Sequence, residues 1–524
     1  MKRWFAVSGL LVTVLAAACA ASPHPQDGAA SNSGGKSDGA FTSGSAGNSG
    51  LGGHDASVGD VPSTGGTGGK GGATATGTGG AGGSDTGLAS GGVPASDGPP
   101  ASGGTSPADG PVAAGGADAR NPRDATGGTG PGGSAGTTGV AGPADNVAEV
   151  TVDNGLPGIG YLNGLFATVT VCVPGTSQCQ NIAHVLVDTG SVGLRLLGSV
   201  LTLSLPVLAN DSGVALAQCT QFVSGFTWGP LRSADFKIAG EQVSNLAIQV
   251  IEESSYPVPS NCTGLASNSA DTLGANGILG VGSFLQDCGS ACAAPIGARS
   301  ANPGLYYACS STKRGGCVAA AVPVPKQLSN PVALFSQDNN GVIIELPAIA
   351  ASGAPSVPGS LVFGIGTRDN NGLGQETVIP LDQSATFLTK YPANGKNALA
   401  FVDSGSNAIY FLDSKTTSIP TCSGMYSYFY CPRSTMSLSA TSQDVGGSMT
   451  VAMTFSIANA QTLFSSKNNV VFANLGGTGS DSSSGSSGLG SYFDWGLPFF
   501  FGKNMFSAIE GQSTPAGKGP FVAF

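Results

Sequence analysis

From residue 146 onward the apolar residues fall in short runs separated by clusters of Gly, Pro, Asn and Ser. LFATVTVCV (165–173), HVLVD (184–188) and NLAIQVIEE (245–253) lead the series. GVIIELPAI (341–349), GSLVFGIGT (359–367), TVIPL (377–381), SMTVAMTFSIA (448–458) and NVVFANL (469–475) continue it. They are rich in Val, Ile, Phe and Thr and have strand lengths, so they predict sheets rather than helices. CTQFVSGFTWGPLRSADFKIAG (219–240) reads as a hairpin with glycine-containing turns. Helical periodicity is nearly absent, and short helices are expected only near 330–337 and 461–466. GSDSSSGSSGLGS (479–491) has no apolar pattern and is expected to be a disordered surface loop.

The first 145 residues carry a different pattern. Lys2 and Arg3 precede an apolar stretch, 5–18, that is short for a bilayer span. Residues 1–18 therefore read as a signal peptide. Ala16, Ala17 and Ala18 lead into Cys19, an arrangement that resembles a bacterial lipobox, so Cys19 is the expected lipidation site. An ordinary secretory cleavage at the alanines is the alternative, which would leave the protein fully secreted. From there to residue 145 Gly, Ser, Thr and Ala dominate, and no segment can bury enough surface to offset its ordering entropy. That predicts a disordered tether with a reach on the order of 60 Å. The exported chain would sit at the cell envelope, as an outer-membrane or surface lipoprotein touching the membrane only through its lipid.

Residues 146–524 are too many for one ordinary core and suggest two lobes. Only 10% of the chain is charged and the net charge is −10. No basic patch exists, so a nucleic-acid partner is not expected. Eleven cysteines are present. Setting Cys19 aside leaves an even set, which in an exported domain predicts disulfides. Local pairs are expected at Cys172–Cys179, Cys219–Cys262 and Cys422–Cys431, with Cys288, Cys292, Cys309 and Cys317 stapling an irregular segment. His184 is the one histidine beyond the tether. It lies in the strand leading to Asp188, which argues against a Ser/His or Cys/His mechanism. No metal site and no cofactor are expected, since zinc-hydrolase spacings are absent.

Two stretches share one grammar: HVLVDTGSVGLRLL (184–197) and LAFVDSGSNAIYFL (399–412). Asp188 and Asp403 stand 215 residues apart. Each closes an apolar run, where a lone ionised carboxylate is costly. No cation is duplicated beside both, so the economical partner of each aspartate is the other. Two carboxyls at contact distance share a proton and titrate as a pair, one serving as base and one as acid. Gly190 and Gly405 allow close backbone approach. Thr189 and Ser404 can lock the turns, and Ser191 and Ser406 can orient the carboxylates. A single copy would be an ordinary Asx turn; two copies are not. NGILGVG (276–282) and DWGLPFFFG (494–502) place Leu279 and Leu497 at nearly equal intervals after the two aspartates, as expected of two related halves.

The pattern resembles the bilobal pepsin-like aspartic proteases, over nearly the whole region and in order. VLVDTGSVGLRLL and FVDSGSNAIYF are similar to the two active-site loops, and 219–250 to the flap hairpin with its return strands. NGILGVG and WGLPFFFGKNMFSAIEG are similar to the segments beneath each loop. A closer resemblance is to an uncharacterised family of secreted bacterial proteins with Cys-rich forms of the DTGS and DSGS motifs. The resemblance implies an all-β, bilobal double β-barrel. Its N-terminal lobe would be 146–345, with a Cys-rich insertion at 284–325, and its C-terminal lobe 346–524. It implies a monomeric peptidase whose peptide or protein substrate lies under the 222–230 hairpin. Phe222, Phe226 and Trp228 occupy the neighbourhood where the family carries a flap tyrosine. Arg195 stands where an apolar aromatic is common, and Pro498 where a glycine is usual. A pepsin-like shell that binds peptide, glycan or protein without turnover is the alternative reading.

Overall fold

The computed structural model describes residues 144–524 apart from 223–224, 253, 255, 298–301, 311–315, 393–394 and 480–491. The expected signal peptide, the Cys19 lipidation site, the tether and nearly all of the 479–491 loop therefore lie outside the described residues.

The apolar runs become strands. Among the described residues fifteen strands join in one hydrogen-bonded system, seven in a second and two in a small ribbon. The Asp188 strand (Cys179–Asp188) folds back on Gly164–Cys172, and a disulfide between the facing cysteines closes that hairpin. Its last residues run parallel to Gly277–Val281. On the far side of that short strand lies Val192–Leu197, antiparallel to it. The second half repeats the device. The Asp403 strand (Asn397–Asp403) runs parallel to Tyr492–Gly496, which pairs antiparallel with Ile409–Phe411 on its other side. In both halves an Asp-bearing strand, a tight turn and a second strand clamp a third strand between them. The halves are tied through a shared sheet. Val147–Asp153 pairs with Val357–Phe363, which pairs with Gly341–Leu346, which pairs with Lys503–Ala508. This is the two-lobed, pepsin-like β fold.

The core follows the alternation. Val185, Val187, Leu194, Leu196, Leu279 and Val281 bury around the first clamp. Around the second, Phe411 stacks on Phe493 (5.0 Å), Phe493 on Trp495 (4.4 Å), and Trp495 meets Phe499 (4.6 Å). Five disulfides form. Cys172–Cys179, Cys219–Cys262 and Cys422–Cys431 pair as the spacing suggests, and the remaining four close as Cys288–Cys292 and Cys309–Cys317. No described helix is long and apolar enough to cross a membrane.

Some expected elements differ. Residues 469–475 form no strand; Val471 makes one isolated bridge to Ala354. Adjacent Val471 and Phe472 are both buried, which a strand facing one core cannot do. The Phe472 N–H instead donates to Asn163 Oδ1 at 2.7 Å. The helix expected near 461–466 is Ala460–Phe464, capped by the Asn459 side chain, whereas 330–337 holds only a 3₁₀ turn at Val332–Leu334. The strand Met436–Gln443 escaped notice because Ser and Thr fill its outer positions.

Candidate active site

The two Asp turns meet. Thr189 N–H donates to Ser404 Oγ (3.0 Å), and Ser404 N–H donates to Thr189 Oγ1 (2.9 Å). Each hydroxyl then reaches past the other turn. Ser404 Oγ donates to the Val187 carbonyl at 2.8 Å and Thr189 Oγ1 to the Val402 carbonyl at 3.4 Å. Residues from opposite halves thus satisfy each other's buried backbone groups, which fixes one turn against the other. Gly190 and Gly405 are required at the contact. A Cβ on Gly190 would stand 2.8 Å from the Asp403 carboxyl carbon, and one on Gly405 would stand 2.8 Å from Asp188 Oδ1.

Both carboxyls are 0% exposed. The local turn orients each in the same way. Gly190 N–H donates to Asp188 Oδ1 (2.8 Å) and Ser191 Oγ to Asp188 Oδ2 (2.5 Å). Gly405 N–H donates to Asp403 Oδ1 and Ser406 Oγ to Asp403 Oδ2, both at 2.8 Å. Thr189, Gly190, Ser191, Ser404, Gly405 and Ser406 therefore all sit at the dyad.

The electrostatics are unequal. Burial pushes both carboxyls up, and they titrate as one coupled pair. For Asp188 the burial is opposed by the Ser191 hydroxyl, the bond to Asp403, the Gly190 N–H and the Arg195 charge. For Asp403 the charges of Asp188 and Asp494 add to burial, with the Ser406 hydroxyl opposing, so it lies well above the usual carboxylate range. The neighbours thus push Asp403 up more strongly than Asp188.

Arg195 is 1% exposed. Its guanidinium donates to the Val192 carbonyl (2.8 Å), to Thr220 Oγ1 (3.2 Å) and to Asp287 Oδ2 (3.3 Å). Asp287 also accepts from Tyr306 Oη (2.6 Å) and from Gln218. One buried ion pair thus links the strand after the Asp188 turn, the hairpin strand Ala215–Phe222 and the Cys-rich segment. Arg195 also lies over the Phe222 ring, 5.9 Å from its centroid.

Strand alternation divides the three hairpin aromatics. Phe222 shares a face with Thr220 and packs in the cluster containing Tyr161, Leu186 and Ile278. Phe226 and Trp228 take the other face, with Cys219, Cys262 and Tyr307. They line the wall built by the Cys-rich segment, whose strand Tyr306–Cys309 pairs with the hairpin. His184 pairs with Asp153 at 3.5 Å. Among the described residues no group of three or more His, Cys, Asp or Glu side chains has a metal-binding arrangement.

The register corrects one expectation. Asp188 faces Gly280, and Asp403 faces Gly496. Trp495, not Leu497, is therefore the counterpart of Leu279. Pro498 displaces no glycine, because Gly496 holds that place; a Cβ there would stand 2.1 Å from the Ala408 carbonyl oxygen. Two residues near the site went unread in the sequence. Tyr161 is buried, and its hydroxyl is pushed up by burial and by Asp188 and Asp403. Asp494 is wholly buried. A lone acid inside the apolar run YFDWGLPFFF was the available signal.

Among solved structures, the chain is similar to the aspartic proteinase from Irpex lacteus. Identity is 16% and the TM-score 0.41, covering 72% of this chain and 96% of that one. A search of curated protein sequences returns no match. A family model does match residues 142–524, which include both Asp turns, and the chain belongs to that family, described as "Protein of unknown function (DUF3443)".

Proposed function

We propose that the protein is an aspartic endopeptidase that hydrolyses peptide bonds with water activated by Asp188 and Asp403. The reciprocal hydrogen bonding of the two Asp turns carries this reading, since it presses two carboxyls from opposite halves into one proton-sharing pair. Asp188, the anion, takes a proton as the water oxygen bonds to the scissile carbonyl carbon. Asp403 gives its proton to the carbonyl oxygen, and a neutral gem-diol forms. On collapse the C–N bond breaks. The Asp188 proton passes to the leaving nitrogen, a diol proton returns to Asp403, and the dyad is restored. The substrate is an extended peptide or protein segment lying against the Phe222 face of the hairpin. The five disulfides fit an oxidising compartment outside the cytoplasm. There the domain, a monomer, would be displayed on its tether from a lipidated Cys19.

A second reading is favoured by one observation: both carboxyls are 0% exposed. Water and peptide reach them only if the residues covering them move. A pepsin-like shell that stays shut would bind peptide, glycan or protein at its surface without turnover.

The test is cleavage of a mixed peptide library by the oxidised chain between about pH 3 and 7. Asp188→Asn and Asp403→Asn should each lower the rate by about 10²–10⁴-fold. Cleavage that survives both substitutions rules out the dyad. No cleavage at any pH, with no binding of a hydroxyl-bearing transition-state mimic, favours the binding shell.

A further inference from the structure

A third carboxyl lies behind the dyad. Asp494 belongs to the strand Tyr492–Gly496 and stands opposite Phe401, two residues before Asp403. Residues two apart on a strand share a face, so Asp494 lies on the Asp403 side of the sheet. Its antiparallel neighbour is Tyr410. The equivalent place in the first half is opposite Leu186, two residues before Asp188, and Ile278 fills it. The chain thus puts an acid in one half where the other half has an aliphatic side chain.

No cation bears on that acid among the groups that act on it. It is 0% exposed, and neither of its oxygens has a hydrogen-bond partner among the described residues. The Ser406 hydroxyl acts to hold its pKa down, and that hydroxyl also donates to Asp403 at 2.8 Å. The titratable groups around it are acids: Asp403 from the parallel strand, Asp188 from the other half, and Tyr410 from the antiparallel strand. Tyr161 and Tyr492 act in turn on Tyr410. The Tyr161 hydroxyl is also buried without a partner. A carboxylate surrounded by other acids, with no cation acting on it, keeps its proton. Burial and the Asp188 charge push Asp494 well above the usual carboxylate range. Once ionised, it becomes a negative charge that opposes proton loss from Asp403.

We propose that Asp494 is a third carboxyl of the site and a positioning residue that acts through Asp403, so that the dyad holds its shared proton to higher pH than two carboxyls alone would. The consequence for rate rests on the peptidase reading; the coupled titration does not.

Asp494→Asn gives a group of the same shape that never ionises, and Asp494→Ile gives the first half's residue should the amide fail to fold. The first readout is the melting temperature against pH. A carboxyl whose folded pKa is raised stabilises fully at acid pH, and that contribution is lost as pH rises through the folded value. The variant lacks this loss. The difference in melting temperature, variant minus native, should therefore grow between about pH 4 and pH 8. The same comparison for Asp403→Asn, made with and without Asp494→Asn, should level off at lower pH where Asp494 is absent, because the Asp494 charge raises Asp403. A difference that is flat with pH, or an Asp403 levelling-off that Asp494→Asn leaves unmoved, overturns the proposal whether or not the protein cleaves peptides. The second readout is the alkaline limb of the cleavage profile, which should move down by about one pH unit in the variant, measured against the variant's own acid plateau. An unmoved limb in a cleaving enzyme overturns the proposal and leaves the peptidase reading standing. Absence of cleavage together with the predicted melting behaviour supports the proposal and removes the peptidase reading.

Discussion

Asp188 and Asp403 each accept from a glycine N–H and a serine hydroxyl, but beyond those donors Asp188 feels a cation and Asp403 a further acid. The first half puts the buried Arg195–Asp287 pair beside its turn and Ile278 beneath it. The second half puts Asp494 beneath its turn and, on the opposite face of the same strand, the stacked rings of Phe411, Phe493 and Trp495, with Phe499 against Trp495. The backbone clamp is the same in both, down to a glycine facing each aspartate. The difference lies in the nearby titratable groups. The Arg195 charge near Asp188 and a second carboxyl near Asp403 give a symmetric frame two unequal carboxyls, Asp403 being pushed up more strongly than Asp188. A base and an acid can thus come from two identical residue types because their neighbours differ.

Substitutions that remove one half's distinctive partner should act differently in the two halves. Arg195→Met strands Asp287 in a site where its carboxyl is only 7% exposed. Loss of one member of a buried pair costs about 3–5 kcal/mol, which urea unfolding of the oxidised protein would measure. Asp494→Asn, in contrast, should cost little at acid pH and stabilise at neutral pH. If Arg195→Met costs no more than a surface change, the first half is not organised around its ion pair. A finer test uses the shared grip. Thr189→Val leaves the Ser404 N–H without its acceptor, and Ser404→Ala does the same to the Thr189 N–H. Each should cost about 1–3 kcal/mol. Near-equal values support a symmetric frame, and a twofold disparity would mean that one half templates the other.

Much of this frame was legible in the sequence because its signals are short and local. Asp-Thr-Gly-Ser and Asp-Ser-Gly-Ser after apolar strands carry their own turn chemistry, and closely spaced cysteines suggested three of the five disulfides. What escaped depended on register. Leu497 looked like the partner of Leu279 because both follow an aspartate at similar spacing, but the parallel pairing that puts Gly496 opposite Asp403 is fixed by tertiary contacts. The sides taken by Phe222, Phe226 and Trp228 depend on which residues the hairpin turn pairs, and one step there exchanges the faces. Arg195 was visible only as an odd residue in an apolar run. Its partner Asp287 lies 92 positions away, in a segment without strand pattern. Asp494 was hidden in the same way, as one acid among aromatics.

Neutron diffraction from deuterium-exchanged crystals grown at mildly acidic pH bears most directly on the central claim. The account predicts one deuteron on the Asp403 carboxyl, a bare Asp188 and a second deuteron on Asp494. A deuteron on Asp188 with Asp403 bare, or none on either, would contradict it.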